Sequence, residues 1–171
     1  MKTVFIYLFL LLFTLQSSGQ SLKKYAISNS GCFIYSYCES KFKAEYSSDS
    51  SLVYSGECRQ GEITYGVICV KLLNPVENLV MAEDLVISYA DFLKNNFEIV
   101  QSAGYGRGHL LNDNNETRGI LDYWKDKESN QYKIKAWTDG KFIGFVYAYS
   151  KKKLPEEKIN AFLDGFRLPG M

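Results

Sequence analysis

Only one histidine, His109, occurs among the 171 residues, and no two cysteines stand in a Cys-x-x-Cys pair. Structural zinc sites draw on clustered Cys and His, so no metal site is legible. Charge of one sign is lacking as well. Lys2 is the only charged residue before Gly19, so residues 20–171 carry 19 bases against 19 acids. Nucleic-acid binding rests on clustered Lys and Arg. The one basic run, Lys151-Lys152-Lys153, reads as a solvated face beside a helix start, and no nucleic-acid partner is expected.

Catalytic and nucleotide motifs are also missing. There is no Gly-x-Ser-x-Gly elbow, and no Gly-Lys-Ser or Gly-Lys-Thr of a phosphate loop. The stretch Gly104-Tyr105-Gly106-Arg107-Gly108-His109 imitates a glycine-rich loop. A dinucleotide fingerprint begun at Gly104 would need its third glycine where His109 stands, and one begun at Gly106 would need it at Leu111. A polar loop and a strand follow where a helix should open, so the glycines read as a bend or bulge. No cofactor is expected. His109 lacks an adjacent nucleophile or orienting acid, Asp113 being in the loop, and reads as a hydrogen-bonded turn residue. A hydrolase built on it is the weakest reading.

What is present begins with the first 19 residues. Met1-Lys2-Thr3 is followed by the twelve-residue apolar run Val4–Leu15, with small residues at Ser17 and Gly19. That is the three-part pattern of a secretory signal, and the run is short of the roughly 20 residues that span a bilayer. The expectation is a signal peptide over 1–19 and one exported, periplasmic or extracellular α+β domain over 20–171, with no stable membrane insertion after cleavage. Export makes the four cysteines, Cys32, Cys38, Cys58 and Cys69, read as disulfides, with unbridged buried thiols as the alternative. A hairpin of Lys41–Tyr46 with Ser51–Glu57 would bring Cys58 level with Glu39, favouring Cys38–Cys58 and leaving Cys32–Cys69.

Short alternating runs and the β-branched stretch Ile63–Leu73 predict strands, the last of them central. From Met81 to Phe97 the period changes, with Leu85, Val86, Tyr89, Phe92, Leu93 and Phe97 at three- and four-residue spacing, predicting an amphipathic helix over 81–97. Three strands follow, and Asp139-Gly140 reads as a two-residue hairpin turn that sets Trp137 opposite Phe142 and Ile134 opposite Phe145. Tyr132, Ile134, Ala136, Ile143, Phe145 and Tyr147 then face the core, while Lys133, Lys135, Trp137, Phe142 and Val146 form a mixed surface. A second helix over 155–166 closes the chain, with Phe166 on its apolar face. Asp122 reads as an outward, solvated acid, or else as an acid of raised pKa beside Trp124. Asn115-Glu116-Thr117 fits a glycosylation acceptor, relevant only in a eukaryotic secretory pathway.

An antiparallel sheet with a C-terminal three-strand meander and two flanking helices resembles the PsbP-like fold group. The resemblance is carried by the long helix, the meander Thr117–Tyr149 and the closing INAFLDGFRL, and covers most of residues 20–171 without a diagnostic catalytic motif. It implies a largely non-enzymatic accessory or regulatory protein that acts by binding partners, while the cysteine cluster departs from the group. Two functions follow as expectations. One is an interaction module for a protein partner, using Trp124, Trp137 and Phe142 as an aromatic surface. The other is a binding protein for a small apolar or aromatic ligand between the sheet and helix 81–97, suggested by 13 Tyr and 11 Phe.

Overall fold

The computed structural model describes residues 21–104 and 106–171, so the signal-peptide expectation lies outside the described residues. Among the described residues ten strands form two antiparallel sheets, and two helices lie against them. The strands are β1 Lys23–Ala26, β2 Phe33–Ser36, β3 Lys43–Tyr46, β4 Leu52–Gln60, β5 Ile63–Lys71, β6 Ile99–Ser102, β7 Arg118–Asp126, β8 Gln131–Thr138, β9 Phe142–Ser150 and β10 Phe166–Arg167. The helices are α1 Leu79–Asn96 and α2 Glu156–Leu163. The large sheet runs β3-β4-β5-β9-β8-β7-β6, and the small one β1-β2-β10.

Helix α1 starts at Asn78, whose side-chain oxygen accepts the N–H groups of Val80 and Met81 and satisfies two donors of the first turn. Its buried residues include Ala82, Val86, Ala90 and Leu93, one stripe set against β6, β7 and β8. That stripe meets Ile134, Ala136, Phe145 and Tyr147 on one face of the large sheet. On the opposite face, Tyr65, Val67, Trp137 and Val146 pack under Ile159, Phe162 and Leu163 of α2 and Ile34 of the small sheet.

The meander register differs from the expected one by two residues. Trp137 pairs with Gly144, Ala136 with Phe145, Ile134 with Tyr147 and Tyr132 with Tyr149. The Asp139 carboxylate accepts the N–H groups of Lys141 and Phe142 at 2.9 and 2.7 Å, so the connection spans four residues rather than two. Because side chains alternate with a period of two, a slip of two keeps every residue on its face. The α1-side core is therefore the one the pattern predicts. The other face is not a mixed surface: Trp137 and Val146 are in its core, covered by α2 and the small sheet, and the Lys133 ammonium reaches Asn160 of α2 at 2.7 Å.

The closing helix is also shorter than the expected 155–166. It stops at Leu163, and Phe166 begins β10 instead of extending the helix face. At Gly165 a Cβ would stand 2.6 Å from the Tyr35 carbonyl oxygen, so glycine alone lets the chain turn onto β2, where Tyr35 N–H donates to the Gly165 carbonyl at 3.0 Å.

Gly144 plays the matching part in the large sheet. A Cβ there would lie 2.3 Å from the Phe166 ring, which rests on this bare backbone with its plane parallel to Trp137. Gly144→Ala is expected to push that ring off the sheet and cost about 1–3 kcal/mol, as overpacking of a filled core does. A fall in the denaturant midpoint at unchanged slope is the reading; an unchanged midpoint would contradict this packing.

Candidate functional site

The proposed aromatic surface does not exist as a surface. Trp124 and Trp137 are 3 % and 2 % exposed and point to opposite faces of the large sheet, Trp124 under α1 and Trp137 under α2. Phe142 is half-buried against the core on the α2 side. Trp124 and Trp137 lie on paired strands, but one belongs with Tyr132 and the other with Gly119 in the ladder, and their different parity sends them apart.

Asp122 is not solvated either. It is fully buried between β7 and α1, accepts the Trp124 indole N–H at 2.5 Å and the Tyr123 N–H at 2.8 Å, and lies 3.5 Å from the Lys94 ammonium. These contacts make it the polar link between Trp124 and α1. The glycine stretch forms a bend: Gly106 bridges Leu121, and Gly104 and Gly108 take positive φ. It is strapped to the start of α1, where Glu83 accepts the Gly108 N–H at 2.7 Å and pairs with Arg107 at 3.1 Å. The position an anion would need is thus occupied by a carboxylate. His109 is held through its backbone N–H on the Gly119 carbonyl. Asn115 is exposed in the following turn, while Thr117 is buried with its hydroxyl on the Asn114 carbonyl. Among the described residues no group of three potential metal ligands converges.

Cys38 and Cys58 are joined, Cα to Cα 5.9 Å, tying the chain after β2 to β4. Closing a loop of this length is worth about 3 kcal/mol in the chain-entropy account. Cys32 and Cys69 are not bridged in this structure; both are buried thiols that interact with one another beside Ser30. That contact holds Cys32 below the usual thiol value, and the same contact together with burial pushes Cys69 well above it. Alkylation before reduction is expected to leave the native protein unmodified and to label two thiols, Cys32 and Cys69, once it is unfolded. Labelling of none would mean the pair has closed into a second bridge.

A row of tyrosines lies on the α1 face. Glu57, Gly66 and Tyr147 stand opposite one another on three adjacent strands, and a Cβ on Gly66 would meet the Tyr147 ring at 2.2 Å. The bare glycine lets the ring cross β5 so that its hydroxyl donates to Glu57 at 2.8 Å. Burial, then the Glu57 charge, raises the Tyr147 phenol; burial, then Asp126, raises Tyr132. On the other face, burial pushes Tyr65 up to about 12, and its hydroxyl has no hydrogen-bond partner among the described residues. Folded values above the unfolded value of about 10 mean that the stability these neutral phenols share is full below that pH and lost as pH rises through the folded values. For Tyr65 the window runs from about 10 to about 12. A phenolate absorbance titration is expected to show these tyrosines silent near pH 10 and ionising only with unfolding. All 13 titrating near pH 10 in a folded chain would contradict it.

Open depressions among the described residues include two beside the helices. One, about 690 Å³, lies by β7, β8 and the start of α2, with Lys125, Lys133 and Lys153 set among Tyr123, Trp124, Tyr132 and Leu154. The other, about 750 Å³, runs between α1 and the β3–β5 end of the large sheet. Its floor is Val53, Ile68 and Val70, and its α1 wall is Leu85, Tyr89 and Phe92. The third side is Tyr46 with the turn Ser47–Ser51, which is braced internally: Asp49 accepts from Ser47 Oγ and from the N–H and Oγ of Ser51. Phe92 is 55 % and Tyr46 77 % exposed. The sequence placed Leu85, Tyr89 and Phe92 on the apolar helix stripe, yet the sheet beneath fills only part of that stripe. Glu45 and Asp49 lie in the hairpin that the sequence predicts, and their place beside α1 follows from the fold of β3 onto β4.

The bridge Cys38–Cys58 is compatible with an oxidising, exported compartment, and no described helix is long and apolar enough to cross a membrane. No protein-family model matches this chain, and no curated protein matches it in sequence.

Proposed function

We propose that the protein is an exported, non-catalytic binding protein that takes a small apolar or aromatic molecule in the groove between α1 and β3–β5. The single observation behind this reading is that groove: about 750 Å³, floored by aliphatic side chains, walled by aromatic rings and bordered by a braced polar turn. Ligand sites have this composition and size, apolar surface with a few placed polar groups. Support for a non-catalytic role comes from where the candidate acids are engaged, Asp122 on Trp124 and Lys94, and Glu83 on Arg107 and Gly108. The resemblance to the PsbP-like group implies an accessory role by binding and agrees with it. A protein-partner role through Trp124, Trp137 and Phe142 loses its basis, because the two indoles are core residues.

Export is supported by the signal-like N-terminal pattern and by the bridge between Cys38 and Cys58. The neutral fluorescent probe N-phenyl-1-naphthylamine is expected to bind one site per chain, with emission rising on transfer from water. Phe92→Ala, at an exposed ring, is expected to weaken that binding about tenfold, equivalent to about 1.4 kcal/mol. Thermal stability should be unchanged, since the ring is outside the core. Absence of probe binding, or equal binding by the variant, would overturn the groove as a ligand site.

A further inference from the structure

Resting on the reading of this groove as a ligand site, the distribution of charge around it narrows the class of ligand. Two carboxylates line it, Glu45 and Asp49, and no Lys, Arg or His does. Among the described residues neither acid is paired with a base; the partners of Asp49 are the hydroxyls of Ser47 and Ser51 and the Ser51 N–H. The chain as a whole is balanced, 19 acids against 20 bases, and several of its carboxylates stand in ion pairs, as Glu83, Asp84 and Glu98 do. An aromatic groove bordered only by unpaired acids therefore presents a local negative field on apolar ground.

The rings are placed to use that field. Tyr89 and Phe92 have centroids 6.0 Å apart on α1, and Glu45 stands across from them on β3, on the same face as its partner Val53. Aromatic faces attract cations through their quadrupole, and carboxylates nearby add to that attraction while repelling anions. The Asp49 charge reaches across the groove to Tyr89: with burial as the larger cause, it raises the Tyr89 phenol. Hydrogen bonds from Ser47 first, then from Ser51, hold Asp49 below the usual carboxylate range, so it stays charged at neutral pH. The turn that carries it is tied to the sheet, since Ser51 Oγ accepts the Leu73 N–H at 3.1 Å.

We propose that the groove binds an organic cation, an ammonium or guanidinium group carried on an apolar or aromatic body. The body lies on Val53, Ile68 and Val70 beneath α1, and the charged head sits at the mouth between Phe92 and the two carboxylates. An anionic amphiphile of the same shape is excluded by Glu45 and Asp49.

The test compares three probes with one body, 4-phenylbutylamine, 4-phenylbutanol and 4-phenylbutyrate, by displacement of N-phenyl-1-naphthylamine from the purified protein. The amine is expected to bind about fivefold more tightly than the alcohol, and the butyrate more weakly than either. High salt should weaken only the amine, the sign of a screened charge at an open site. The double variant Glu45→Gln with Asp49→Asn is expected to abolish the preference for the amine while keeping the alcohol within about twofold. Retained alcohol binding also shows that the variant is folded and its groove intact. Equal affinity of all three probes, or tightest binding of the butyrate, would overturn the cation assignment and leave the apolar groove standing. Failure of both the naphthylamine and the alcohol to bind the wild-type protein would remove the groove reading itself.

Discussion

Seven strands need more cover than two helices provide, and the rest of the structure follows from that shortage. At about 4.8 Å per strand the large sheet is roughly 29 Å across, whereas a helix with its side chains is about 10 Å wide. Both faces carry aliphatic and aromatic residues, so both must be covered. The chain divides the task diagonally. Helix α1 covers the β6–β9 end of one face, while α2 and the three-stranded sheet cover the other face. What is left open is the β3–β5 end beneath the edge of α1, and that remainder is the groove.

Close approach between these layers depends on residues without side chains. On the α1 face, Gly66 lets the Tyr147 ring cross a neighbouring strand and reach Glu57. On the α2 face, Gly144 receives Phe166, and the Trp137 indole leans over Gly119. Each large ring fills a pit made by a glycine within the ladder, which gives the sheet relief for layers to interlock. The same principle appears in polar form at Asp122, a buried charge tolerable only because an indole N–H, a backbone N–H and the Lys94 ammonium converge on it.

Periodicity made much of this legible. The change of spacing at Met81 announced α1 to within two residues, and the alternation in β8 and β9 assigned the α1-side face correctly although the register was off by two. The register was hidden because Asp139 uses its own carboxylate to lengthen the turn, a local competition that residue spacing does not display. The burial of Trp137 and Val146 was hidden for another reason. Lys133 and Lys135 on the same face gave it a mixed pattern, but long cationic stems lie along a covered surface with their ends bonded to Asn160 and Asp164 of α2 and its cap. The groove was half legible: the helix stripe that walls it was visible in the spacing, whereas the acidic turn opposite came only with the fold. Phe166 fits the helix stripe by spacing, and only the contact between Gly165 and Tyr35 shows why the chain leaves the helix first.

The small sheet has a temporal meaning as well as a spatial one. Its middle strand, β2, lies near the start of the described chain, and it pairs on one side with β1 and on the other with β10, the last strand of all. The layer that seals the α2 face is therefore assembled from segments far apart in the described chain, and Phe166 and Leu168 enter the core beside Ile34. Such a closure has a high contact order: its entropy of loop formation must be met before its contacts stabilise anything. Until β10 is in place, β2 lacks its second neighbour and Gly144 lacks its ring. Commitment of the α2 face to the fold thus waits on β10, and a chain whose β10 has not yet reached β2 leaves the Trp137 and Val146 face uncovered.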